Sequence, residues 1–316
     1  MTEIIEKKEQ ADQFLSQAFQ DIESSIVLYE AKKYSNAVFY LQQSVEKAIK
    51  SYVFQFDPEE ADPLKIRHRY LQVIKKSNEK FRQKREDLRK NTERYNAAII
   101  LTKNIGFDYQ TIVDKILSNQ EDFNKLIDIS ERKREFTESE VISLVVLMEE
   151  VDCDFEDILH QLRFKKIDEV KWDQNIDDLS VNIKAGIREI YSGYDLSEEA
   201  RESRLNEIED QLFEWKNGPK DVHYQFLLFL YLRIGGMILL SLVGLLVSAH
   251  EQSSRYPDEK KKFNPLDFYT LELPLVFHLP AIQKYTSIAL GWLRESYDLL
   301  ETLPKIMGDD SNTGNI

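Results

Sequence analysis

Residues 226–249, FLLFLYLRIGGMILLSLVGLLVSA, form an almost unbroken apolar run. Coiled as an α-helix, a run of this length reaches about 36 Å, enough to cross a bilayer or the middle of a large helical domain. A helix that is apolar all round must be enclosed on every side, by lipid or by protein. Arg233 stands inside the run. Placing it at the centre of a span costs roughly 2.5–3.5 kcal/mol on insertion scales, and no other segment reads as a span. The preferred expectation is therefore a buried central helix rather than a membrane segment. In that setting Gly235, Gly236 and Gly244 allow neighbouring helices to approach closely. The chain has only 10 glycines and 8 prolines among 316 residues, which favours long helices over a turn-rich sheet.

Periodicity extends the all-α expectation to both sides of the run. Leu15, Phe19, Ile22, Ile26 and Tyr29 recur at spacings of four and three, one face of a helix over about 3–31. Ala37, Leu41, Val45, Ala48 and Tyr52 line a second helix over 34–55, and Gln43, Glu46, Lys47 and Lys50 fall off that stripe. The short link EAKKY predicts antiparallel packing of the two. Thr137 and Glu140 form a capping box at the start of a helix over 138–164. A last helix is expected over about 280–302. Further helices are expected from Leu64 and over 95–103, 108–134, 176–191 and 198–216. The stretch 75–94 holds nine Lys or Arg against four Asp or Glu. The interleaved signs favour a solvated, salt-bridged helix over a nucleic-acid contact.

The formal net charge of −14 disfavours broad, non-specific binding to polyphosphates. The one cysteine, Cys153, excludes an internal disulfide and a cysteine zinc site, and suits a reducing cytoplasm. The charged N-terminus, MTEIIEKKEQADQF, has no apolar region of the secretory kind. No phosphate-binding loop, dinucleotide fingerprint, nucleophile elbow or HExxH pair is found, so ATP hydrolysis and ordinary hydrolase chemistry have no support. Asp152, Asp154, Glu156 and Asp157 lie close to His160, and Glu156 with His160 is an i, i+4 pair with metal-ligand spacing. A solvated acidic face is the preferred account, so no metal and no cofactor is expected.

Two separated pieces, with a histidine-containing helix start between them, share a resemblance. NAVFYLQQSVEKAIKSYV (36–53) lies on the second helix, IRHRYLQVI (66–74) opens the next, and SSRYPD (253–258) follows the apolar run. Together they resemble the HEPN domain family of all-helical domains. The resemblance covers about 1–76 and 226–304. It implies an antiparallel HEPN-like helical bundle formed by both parts, with 77–225 as a helical insertion and 305–316 as a flexible tail. The family includes RNA-cleaving toxins, nucleotide-binding partners of small nucleotidyltransferases, and non-catalytic modules, and its members commonly form homodimers. Its nucleases carry an Arg, then four to six residues, then a His. No Arg lies at that spacing before His68, His160, His223, His250 or His278, and His250 and Arg255 have the spacing in reverse order.

The expected function is therefore a non-catalytic, cytoplasmic module that binds a nucleotide, RNA or a protein partner. A small nucleotidyltransferase or an antitoxin is the kind of partner the resemblance implies, in a toxin–antitoxin or defence setting. Candidate nucleotide-binding residues are Gln43, Lys47, Lys50, Arg255, Tyr256 and Asp258. One alternative is a metal-independent endoribonuclease, in which His68 with Arg67, or His250 with Arg255, supplies a base and a phosphorane-stabilising cation. Another is a helical scaffold with no nucleotide ligand. Structural roles compete at each position. Glu46 and Lys50 can simply pair along the helix. In RYPD, Arg255 can satisfy helix-end carbonyls while Tyr256 packs and Pro257 stops the helix.

Overall fold

The computed structural model describes residues 2–56, 135–164, 203, 206, 220–250, 254, 256, 257 and 263–306. Seven helices occur among them: α1 (Thr2–Glu30), α2 (Tyr34–Phe56), α3 (Glu138–Phe164), α4 (Lys220–Ser248), α5 (Pro265–Phe268), α6 (Pro274–Phe277) and α7 (Leu279–Ile306). No strand is present among the described residues, so the fold is all-α. The helices expected from Leu64 and over 95–103, 108–134, 176–191 and 198–216, and the charged stretch 75–94, lie outside the described residues, apart from helical Ser203 and Asn206.

Helix α1 ends in a Schellman turn. The Lys33 amide donates to the Leu28 carbonyl at 2.8 Å and that of Lys32 to Tyr29 at 2.9 Å. Lys32 takes the left-handed conformation, φ 59°, that a glycine usually holds there. The chain reverses at once, and α2 runs antiparallel along α1. Serine hydroxyls stitch the two: Ser25 to the Ala37 carbonyl (2.7 Å), Ser44 to Ala18 (2.8 Å) and Ser51 to Ala11 (2.6 Å). Each bond joins a serine to an alanine carbonyl, and these small side chains let the helix backbones come close.

Helices α1, α2, α4 and α7 close a ring in which each packs on the next. Antiparallel pairing of α2 with α4 follows from Tyr52 meeting Arg233 and Phe56 meeting Phe229. Ser25 bonded to Gln283 and Asp12 to Arg294 run α1 against α7. The result is an antiparallel four-helix bundle in which the first fifth of the chain packs against the last third. Leu15, Ile22, Leu41, Val45, Leu239, Leu246, Ile282 and Leu293 are all enclosed in its core. The α4 stretch from Leu228 to Ser248 is long and apolar enough to span a bilayer, yet most of it is buried between helices.

Helix α3 starts at the predicted capping box, with the Thr137 amide donating to Glu140 Oε2 at 2.7 Å and the Glu140 amide to Thr137 Oγ1 at 3.4 Å. It packs on α4 and α7 from outside the ring. The contact is tight at Gly235, where a Cβ would lie 2.6 Å from Phe155 and 2.8 Å from Trp292. Gly236 has the Ala289 carbonyl at 3.1 Å from the same imagined atom. The close helix approach expected at these two glycines is therefore present.

Two sequence expectations need correction. Helix α4 stops at Ser248, well before Pro257. The stop is made locally, by the Ser248 hydroxyl on the Leu245 carbonyl and a turn from the His250 amide to Val247. Nor does Tyr256 pack, since 67% of it is exposed.

Candidate functional site

The polar positions of α2 are more enclosed than their absence from the apolar stripe suggests. Helix α2 meets α1, α4, α7 and α5, so it has no broad solvent face. Glu46 is only 5% exposed, while Lys47 and Lys50 are half-buried. Lys47 Nζ lies 2.5 Å from Asp21 on α1, and Lys50 Nζ lies 2.7 Å from Glu46. Lys50 also sits over the Phe14 ring at 5.9 Å. Each ammonium thus has a carboxylate beside it, and a phosphate arriving here would compete with that carboxylate. The i, i+4 pairing of Glu46 with Lys50 is the structural role weighed from the sequence.

Gln42 and Gln43 stand about one turn before these groups along the helix. Gln42 is fully buried, and neither its amide oxygen nor its nitrogen has a hydrogen-bond partner among the described residues. The buried amide nitrogen of Gln43 also lacks one there. A buried unpaired amide is costly. Gln43 belongs to the polar strip legible in the sequence, whereas nothing in the local pattern marks Gln42.

His250 lies just past the end of α4, and only 3% of it is exposed. Its Nδ1 is 3.0 Å from the Tyr269 hydroxyl, and the two rings meet edge to face. Burial pushes the imidazole down from 6.5 to about 4, so it is neutral at neutral pH. The backbone then turns through Ser254, whose amide donates to the His250 carbonyl and whose own carbonyl accepts from the Ser35 hydroxyl at 2.9 Å. The chain after α4 is thereby pinned to the first turn of α2. Ser35 precedes Lys47 by twelve residues, about 18 Å along a helix. The structure therefore does not gather Gln43, Lys47 and Lys50 with His250 and Tyr256 into one site. Arg67, His68, Arg255 and Asp258 lie outside the described residues.

Arg233 was read from the sequence only as an obstacle to membrane insertion. In the fold its Nε donates to the Tyr52 hydroxyl at 3.0 Å, and its guanidinium lies 4.2 Å from the Phe56 ring centre and 5.2 Å from that of Tyr52. No carboxylate pairs with it among the described residues. Aromatic faces stabilise the charge in place of a counter-ion. Nothing in the local sequence gives this away, because the box comes from a helix about 180 positions earlier.

The acidic stretch of α3 does not assemble a metal site. Glu156 accepts from the Trp292 indole at 3.2 Å and faces Arg163 at 3.8 Å, while His160 rests against the Phe164 ring. Asp152 faces Lys284 at 3.8 Å, yet burial is the larger influence and raises its carboxyl above the usual range. No group of three metal-ligating side chains occurs among the described residues.

The described residues thus define an all-α bundle protein built on a ring of four antiparallel helices, with a fifth long helix docked outside it. The HEPN domain family model matches residues 11–140, in agreement with the resemblance carried by LQQSVEKAIK. That stretch takes in most of α1, all of α2 and the first residues of α3, under half of the chain. No curated protein and no solved structure matches the chain.

Proposed function

We propose that the chain is a HEPN-type helical module that acts by binding a protein partner and has no ribonuclease activity. One observation carries this: His250, the described histidine with an arginine at nuclease-like spacing, is buried, neutral and held by Tyr269. A general base must reach the hydroxyl it deprotonates. The pairing of Lys47 and Lys50 with carboxylates supports the same conclusion for phosphate binding on α2. A small nucleotidyltransferase or an antitoxin is the kind of partner the family resemblance suggests. Self-association and a cytoplasmic setting belong to the same proposal.

The test is incubation of the purified chain with mixed RNA in a metal chelator. The expected result is intact RNA. Cleavage by the wild type that is lost in His68→Ala or Arg67→Ala would establish the ribonuclease alternative.

A second reading, nucleotide or RNA phosphate binding, has Arg233 behind it, a half-buried cation without a described counter-ion. It predicts thermal stabilisation by millimolar ATP that disappears in Arg233→Gln. Equal melting temperatures with and without ATP would remove it.

A further inference from the structure

Helix α3 buries one apolar face in the bundle and carries on its outer side a stripe of exposed apolar residues interrupted by polar ones. Leu144, Met148, Val151, Phe155 and Leu159 point inward and are buried. On the opposite side Ile142, Val146, Cys153 and Phe164 are exposed, the valine by 47% and the phenylalanine by 71%. Spacings of four, seven and eleven put these four on one straight stripe, about 33 Å long from end to end. Isolated exposed apolar residues are ordinary. A stripe at heptad-like spacing is the pattern of a helix that packs against another helix.

Charge identifies the occupant. Helix α3 has eight carboxylates and a single arginine. That arginine, Arg163, is engaged by Glu295 through Nε at 3.0 Å and Nη2 at 2.5 Å. Glu149, Asp157 and His160 lie within the stripe, with the His160 ring against Phe164, and Glu150 and Asp154 flank it. A shallow groove of about 480 Å³ runs here, with Val146, Glu149, Glu150, Cys153 and Asp154 as its described lining. A second copy of the chain is a poor fit, because a two-fold axis would set these carboxylates against their own images.

We infer that the outer face of α3 docks an amphipathic helix of a partner protein, one with an apolar seam flanked by lysine and arginine. The inference rests on the partner-binding proposal above and gives it a surface and a chemistry. The partner's seam covers Val146 and Phe164, and its basic flanks meet Glu149, Glu150 and Asp157. Apolar contact supplies the affinity, and the charges set orientation and choice of partner.

The test uses the full chain and three fluorescent peptides of roughly 21 residues, a length that matches the stripe. The first has a leucine seam with Lys/Arg flanks, the second the same composition scrambled, and the third the same seam with Glu flanks. Binding is followed by anisotropy in physiological salt, and alkylation of Cys153, the only cysteine, reports the place. The first peptide is expected to bind at least about tenfold more tightly than the others and to slow alkylation. Val146→Asp and Phe164→Ser, both at exposed positions, are each expected to weaken it at least about tenfold. Equal binding of the first two peptides, or binding that leaves Cys153 equally reactive, overturns the inference. So does a dimer of the chain that Val146→Asp dissociates. RNA cleavage by the wild type would instead remove the parent proposal, and the peptide titration does not depend on it.

Discussion

Alanine in place of glycine should have opposite effects at two positions. In the middle of a helix the change is worth about 1 kcal/mol in favour of alanine, because glycine loses more backbone freedom on folding. Gly291 on α7 is exposed, and a Cβ built there meets nothing within 4 Å. Gly291→Ala should therefore stabilise the protein by about 1 kcal/mol. Gly235 on α4 is buried, and its Cβ would lie 2.6 Å and 2.9 Å from two atoms of the Phe155 ring and 2.8 Å from Trp292. Neither ring has an easy escape. They stack on each other at 5.8 Å, Phe155 also meets Tyr231 at 5.9 Å, and the Trp292 indole is tied to Glu156. Overpacking of this kind costs about 1–3 kcal/mol, and strain at three contacts belongs in the upper half of that range. Subtracting the propensity gain leaves Gly235→Ala destabilised by about 1–2 kcal/mol. The two variants should thus differ by about 2–3 kcal/mol in urea or thermal unfolding. If Gly235→Ala matches or exceeds the wild type, α3 does not pack against α4 as described.

Three further predictions concern single groups. His250 has its folded value lowered from 6.5 to about 4. Its neutral form therefore contributes stability that is full above pH 6.5 and is lost as pH falls toward 4. The wild type should lose roughly 2 kcal/mol between pH 7.5 and 5 relative to His250→Asn, and parallel stability curves for the two would refute this. Lys32→Gly relieves the left-handed residue of the α1–α2 turn and should raise stability by about 0.5–1 kcal/mol, measured by denaturant unfolding. Gln42→Met replaces two unpaired buried amide atoms with an apolar side chain of similar shape and should stabilise by about 1–3 kcal/mol. A loss of stability would mean that the amide has a partner that the described residues do not supply.

Helices defined by their own periodicity were legible in the sequence, and contacts made by distant segments were not. The ends of α1, α2 and α3 fall within a residue or two of expectation, because Leu15, Ile22 and the Thr137 capping box are signals within a single helix. Helix α4 was recognisable from composition alone, although its stop was assigned to Pro257 when the hydroxyl of Ser248 and the turn at His250 make it. The enclosure of Glu46 and Lys47 was not legible. Lys47 meets Asp21 on α1, and Lys50, which pairs with Glu46, lies over Phe14 on the same helix. The sealing of His250 depends on Tyr269, nineteen residues downstream and beyond a turn, and the aromatic box of Arg233 depends on Tyr52 and Phe56. Tyr256 is exposed, against the expectation that it packs.

The candidate site changes character once burial is known. Read as a list, Gln43, Lys47, Lys50 and His250 look like a phosphate-handling set. In the fold the two lysines face carboxylates, the histidine faces a phenol, and the two groups lie several helical turns apart. Charge that is satisfied internally holds helices in register; charge left on a surface is available to a partner. By that criterion α2 belongs to the architecture. It is covered by α1 and α4 and tied to the chain after α4 through Ser35. The exposed apolar groups lie elsewhere, at Ile142, Val146 and Phe164 on the outer side of α3. Helix α3 overlaps the family match only in its first residues, so the family match and the partner surface proposed for α3 fall on largely different parts of the chain.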